Sequence, residues 1–178
     1  MADNRDGVGL DQAQLERLYV KLEGPIYNVV YRWVWSREEA HDITQEAFVQ
    51  VWNVRERVNV ETAPAFLYKT ALNMASNRRR SRRLWGWLGL ESAGDPADAG
   101  RSAEQALDSA RAAERVRAAV DALPESLRRV IVLSEYSELS YTEIGAVLGV
   151  PAGTVGSRRN AALKQLAAAL GGLEDSSS

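Results

Sequence analysis

Apolar residues in this chain recur at spacings of three and four and nowhere sustain a two-residue alternation, which restricts the fold to helices packed on one another. Residues 10–83 hold three or four such amphipathic stretches, with Pro25 and Pro64 as the only breakers. Residues 84–103, LWGWLGLESAGDPADAGRSA, change character: a short apolar run gives way to small, acidic and breaker residues, which reads as a linker. Helical patterning resumes at Glu104, restarts after Pro124, after Ser140 and after Pro151, and fades into a frayed tail at 171–178. The expected fold is all-α, with two small helical domains (1–83 and 104–178) joined by a flexible linker. About 20 linker residues span at most roughly 70 Å and average near 25 Å as a coil. The halves therefore need no fixed mutual orientation, and are expected either to move or to pack in a closed form that must open to function. In the apolar run, Leu84, Trp85, Trp87, Leu88 and Leu90 are costly to leave in water. They are expected to pack on the preceding helix, the alternatives being a channel in a larger partner or the surface of an inhibitor.

Composition removes several function classes. Of 178 residues, 46% are hydrophobic, enough to fill real cores, and none is cysteine, so disulfides and thiolate metal sites are impossible. A single histidine, His41, cannot anchor an all-protein zinc site. Carboxylates such as Glu38, Glu39 and Asp42 lack a neighbouring nucleophile or Gly-rich phosphate loop, so neither an enzyme nor a cofactor is expected. The first residues lack a signal-peptide pattern, and no apolar run approaches the roughly 20 residues of a membrane span, so a soluble, cytoplasmic protein is expected. The net charge of −2 conceals a segregation. Arg78, Arg79, Arg80, Arg82 and Arg83 form one basic cluster and Arg158, Arg159 and Lys164 another.

The second cluster lies in LSYTEIGAVLGVPAGTVGSRRNAALKQL. Ser140 and Glu143 form a capping box, Gly149 supplies a left-handed stop, and Pro151 suits the start of the next helix. Together they predict a helix-turn-helix. In its second helix Val155, Ala162, Leu166 and Ala169 share one side, whereas Thr154, Ser157, Arg158, Ala161 and Lys164 share the other. That polar side suits the major groove, with Arg158 as base reader. A merely solvated or protein-binding hairpin has the same pattern.

In the N-terminal half, Asp42, Gln45, Glu46, Val49 and Asn53 fall on one helical face, opposite Ile43, Ala47, Val51 and Val54. By itself this is an ordinary acidic stripe, although Val49 within it hints at a partner. After Pro64, one face carries Phe66, Lys69, Asn73, Asn77 and Arg80, opposite Leu67, Ala71 and Met74. An aromatic ring, amides and cations on one face suit single-stranded nucleic acid: stacking, base edges and phosphates respectively.

Taken in order, DITQEAFVQVW, AFLYKTALNMASNRRR and LPESLRRVIVLSEYSELSYTEIGAVLGVPAGTVGSR closely resemble bacterial RNA polymerase sigma factors of the extracytoplasmic-function (group IV) type. The resemblance implies a sigma region-two-like domain and a region-four-like domain, without counterparts of the first or third regions. It also implies that Asp42, Gln45, Glu46, Phe48 and Trp52 match the motif that docks on the beta-prime clamp helices of core RNA polymerase. Phe66, Asn73, Asn77 and the cluster Arg78, Arg79 and Arg80 match the part that reads and opens the minus-ten element. Thr154, Ser157 and Arg158 match the reader of the minus-thirty-five element. The implied partners are core polymerase and promoter DNA, both double- and single-stranded. An anti-sigma factor commonly holds such proteins as well. The sequence departs from the family at Gly156 and Ala161, where basic residues are usual, and at Arg159, where an apolar one is. Arg159 is expected to pack its stem inward while its head reaches water or a phosphate. The rival reading is a dimeric operator-binding regulator whose N-terminal half is a sensor.

Overall fold

The computed structural model describes residues 9–87 and 103–171, with side chains described for 9–84 and 109–171. Seven α-helices and one 3₁₀ turn make up the described residues: α1 Gln12–Val34, α2 Arg37–Asn53, the turn Arg55–Arg57, α3 Ala63–Trp87, α4 Ala103–Ala122, α5 Glu125–Tyr136, α6 Tyr141–Leu148 and α7 Ala152–Gly171.

Helix α1 begins at a capping box between Asp11 and Gln14 and runs through Pro25, which the sequence suggested as a breaker. Proline removes one ladder hydrogen bond and crowds the preceding turn, costing about 3 kcal/mol. Burial of Leu22, Ile26, Val29, Val30 and Trp33 along one stripe offsets that cost and keeps the helix whole. The helix stops at Trp35, which adopts a left-handed conformation (φ 56°) and donates its N–H to Tyr31. Ser36 then caps α2 through Glu39 N–H. Ile43, Ala47, Phe48 and Val51 are buried as the pattern required, but Val54 is 40% exposed because α2 has already ended at Asn53.

Helix α3 starts with Pro64 in its first turn, where a missing N–H costs nothing. It continues to Trp87, so the expected linker start at residue 84 falls inside the helix. Leu84 is 65% exposed, while the side chains of Trp85 and Trp87, like Leu88, Leu90 and the rest of the expected linker up to 102, lie outside the described residues. Helices α1, α2 and α3 pack mutually.

In the C-terminal half α6 opens on the Ser140–Glu143 capping box and closes on Gly149 at φ 69°. The Val150 N–H returns to the Gly145 carbonyl at 3.0 Å, and α7 starts at Ala152, one residue past Pro151. Gly145 is required here: a Cβ would stand 2.5 Å from the Val150 carbonyl oxygen. Val155 and Ala162 of α7 are buried against α5 and α6, whereas Ala169, expected inside, is exposed because α7 outruns its neighbours. The four helices of this half were expected to be short; α4 and α7 are 20 residues each.

The two halves pack on each other. Helix α5 lies against α1 and α6 against α3, and one contiguous apolar cluster includes residues of both halves. Of the two arrangements the sequence left open, this is the closed one.

Candidate functional site

The polar stripe of α2 is presented to solvent as its spacing dictates. Asp42, Gln45, Glu46, Val49 and Asn53 are all exposed, with Val49 at 56%. Phe48 is buried and meets the Tyr19 ring edge-on at 4.9 Å. Trp52 is half-buried beneath the Arg55 guanidinium, 4.0 Å from its ring centre. Both are therefore supports for the face rather than its surface.

Along α3, Phe66, Lys69, Asn73, Asn77, Arg78 and Arg80 are exposed, and Leu67 and Ala71 are buried behind them. Arg79 is not among the exposed ones. Its guanidinium turns to the end of α1, 3.5 Å from the Trp33 carbonyl, and pairs with Asp121 of α4. Arg82 likewise donates to the Val34 carbonyl and pairs with Glu39. Two of the five clustered arginines thus satisfy the orphan carbonyls at the C-terminus of α1, where cations are favoured. Arg78, Arg80 and Arg83 remain at the surface.

On α7, Ser157 and Lys164 are exposed, Thr154 and Arg158 half-buried, and the Ser157 hydroxyl donates to the Thr154 carbonyl. Arg159 neither snorkels to water alone nor awaits a phosphate: its Nε and Nη2 grip Glu135 of α5 at 3.1 and 2.7 Å.

The seam between the halves holds polar side chains that the sequence reading did not single out. Asp121 accepts hydrogen bonds from Trp35 Nε1 (3.1 Å), Arg79 and Arg128 (3.3 Å). Arg128, only 5% exposed, lies over the Trp33 ring at 4.1 Å. Burial, reinforced by the positive charge of Arg79, brings its pKa down to about 10. Arg129 reaches across to Asn73 Oδ1 (3.3 Å) and Ser76 Oγ (3.0 Å) on α3. The buried Tyr68 hydroxyl donates to the Ser137 carbonyl at 3.1 Å, and burial, then the charges of Glu138 and Glu143, push its pKa well up. In this arrangement Asn73, a proposed reader of single-stranded DNA, is bonded to the other half of the chain. No periodicity signals such long-range pairs; the only hint was that Arg128 and Arg129 stand beside an apolar run.

Residues 18–84 match Sigma-70 region 2, and residues 113–166 match Sigma-70 region 4. The ECF RNA polymerase sigma factor SigW of Bacillus subtilis is 34% identical over 160 residues, covering 79% of this chain and 82% of SigW. The chain belongs to the extracytoplasmic-function sigma factors. The corresponding sigma-E factor of Escherichia coli is 30% identical over 157 residues, 83% of this sigma factor and 82% of that one. SigE of Mycolicibacterium smegmatis is 34% identical over 143 residues, and there the alignment spans only 55% of the relative. In fold, this sigma factor is similar to CnrH in complex with the cytosolic domain of CnrY (TM-score 0.66, 22% identity, 94% of this chain and 92% of that one). It is also similar to the sigma factor RpoE in complex with the anti-sigma factor NepR from Bartonella quintana (TM-score 0.63, 20% identity, 87% and 95%). Among the described residues no helix is long and apolar enough to cross a membrane.

Proposed function

We propose that this protein is an alternative, signal-responsive sigma factor of the cytoplasm, without catalytic activity of its own, that binds core RNA polymerase and directs it to a set of promoters. The observation that carries the reading is the conjunction, in one chain and in family order, of regions 2 and 4 with an exposed polar stripe on α2. In this reading Asp42, Gln45, Glu46, Val49 and Asn53 meet the beta-prime clamp helices. Phe66, Lys69, Asn73, Asn77, Arg78 and Arg80 act on the minus-ten element, joined by Arg79 once the halves separate. Thr154, Ser157, Arg158 and Lys164 meet the minus-thirty-five element, while Gly156, Ala161 and the Glu135-bound Arg159 leave fewer cations for phosphates than the family pattern supplies.

We divide the chain functionally at the segment between α3 and α4. Because Arg129 occupies Asn73 and Asp121 holds Arg79, the closed arrangement must open before the minus-ten face can engage DNA. An anti-sigma protein is a proposed further partner, supported by the two structures of similar fold, both of which are complexes.

Sequencing the transcripts made by core polymerase with and without the purified protein tests the function. Defined new start sites sharing upstream elements are expected, as is co-elution of the monomer with core. Transcript ends identical to those of core alone, or an operator-binding dimer that ignores polymerase, would refute it.

A further inference from the structure

Where α1, α3 and α5 meet, a cavity of about 80 Å³ is lined by Trp33, Ser76, Arg79, Arg80, Arg83, Glu125 and Arg128. One water needs roughly 10–15 Å³ of such space, so several waters or one small tetrahedral oxyanion fit, and a nucleoside does not. Two of its lining side chains are almost wholly buried and hold a donor without any partner: the Trp33 indole N–H, at 0% exposure, and Arg128 Nε, at 5%. A buried donor left unpaired costs about 1–3 kcal/mol, so an acceptor brought within reach of either would be favoured.

Charge asks for the same thing. Four guanidinium groups line the space against one carboxylate, Glu125, which is already engaged by Arg129 at 2.9 Å. Asp121 is shared between Arg79 and Arg128, and Arg80 and Arg83 have no carboxylate partner among the described residues. Helix α5 also begins here, at Pro124, without a side-chain cap, its first turn carrying the one acidic residue Glu125.

We propose that this cavity binds a small phosphate-class oxyanion, held by the guanidinium groups of Arg79, Arg80, Arg83 and Arg128, and that the anion fastens the two halves in the closed arrangement. The walls come from both halves of the chain, so the anion binds the closed form and not the open one, and mass action then favours closure. Binding itself does not depend on the sigma-factor reading. Only the consequence does: free anion and promoter phosphates would compete for Arg79 and Arg80.

Isothermal titration of the full chain with inorganic phosphate, in chloride at constant ionic strength and without polymerase or DNA, tests the site. One saturable site per chain is expected, weakened at least tenfold by Arg83→Gln and by Arg128→Met. Arg78→Gln, in the same basic cluster but outside the cavity, should leave it unchanged. Arg83 is exposed, so its variant reports on the cavity even if Arg128→Met loosens the seam. Absence of saturable binding overturns the proposal, as does equal weakening by Arg78→Gln, which would mean ordinary condensation of anions on a basic surface. Phosphate should also raise energy transfer between dyes on Gln50→Cys and Gln165→Cys in this cysteine-free chain. Binding with no change in transfer would overturn the fastening role.

Discussion

Gly145 is the position where one added methyl group matters most. Its Cβ would sit 2.5 Å from the carbonyl oxygen of Val150, and that carbonyl belongs to the turn that sets α7 against α6. Gly145→Ala is expected to cost about 1–3 kcal/mol, as overpacking does, read as a lower thermal midpoint. The side chain of Arg158 makes the opposite case, since it is half-buried but forms no hydrogen bond or ion pair with the described residues. Arg158→Ala is expected to leave the midpoint unchanged, cost about 1–3 kcal/mol of promoter affinity, and relax preference at one or two upstream base pairs, checked by binding to a randomised minus-thirty-five element. Tyr68 brings a pH dependence. Its folded pKa is raised, so its contribution to the seam is intact below the ordinary tyrosine value near 10 and is lost as pH climbs through the higher folded value. Arg128, whose pKa is lowered, acts in the opposite sense above about 10, because the penalty for burying its charge eases. Energy transfer between the halves at pH 9 to 11, for wild type against Tyr68→Phe, separates the two: the variant should lose the fall due to the phenol.

At the scale of elements, the helices that carry faces were legible and the contacts between distant helices were not. The three-and-four spacing of Asp42, Gln45, Glu46, Val49 and Asn53 fixes which side of α2 meets solvent, because Ile43, Ala47 and Val51 must be buried. Asp42→Arg with Glu46→Arg is accordingly expected to weaken core binding while leaving helical content by circular dichroism unchanged; equal affinity in a core titration would remove the assignment. The capping box at Ser140 and the left-handed Gly149 were equally readable, since both are local devices. What eluded the sequence is where tertiary packing overrides a local rule. Pro25 is carried inside α1 by the burial around it, and Arg79 and Arg82 were drawn from the basic cluster to the carbonyls of another helix. On α3 the reading still allows a sharp test: Asn73→Ala is expected to impair strand opening. Permanganate footprinting of the promoter complex would report it, and normal reactivity of the minus-ten thymines would end the single-strand role.

For the whole molecule, the arrangement of the halves depends on a few charged side chains at the edge of an apolar seam. Asp121→Asn keeps the shape of the carboxylate but removes its charge. It is expected to forfeit charge-assisted hydrogen bonds worth about 1.5–3 kcal/mol and to shift the chain toward the open form, seen as lower energy transfer and faster promoter engagement. Two of the bonds to that one oxygen of α4 cross the seam, from Trp35 just past α1 and from Arg79 of α3, while Arg128 of α5 shares it from the same half. Parting the halves takes the Trp35 indole and the Arg79 guanidinium from that oxygen together, while Arg128 keeps it. Those two crossing bonds share one acceptor and so are lost as a unit: whatever engages the Asp121 carboxylate competes with both at once.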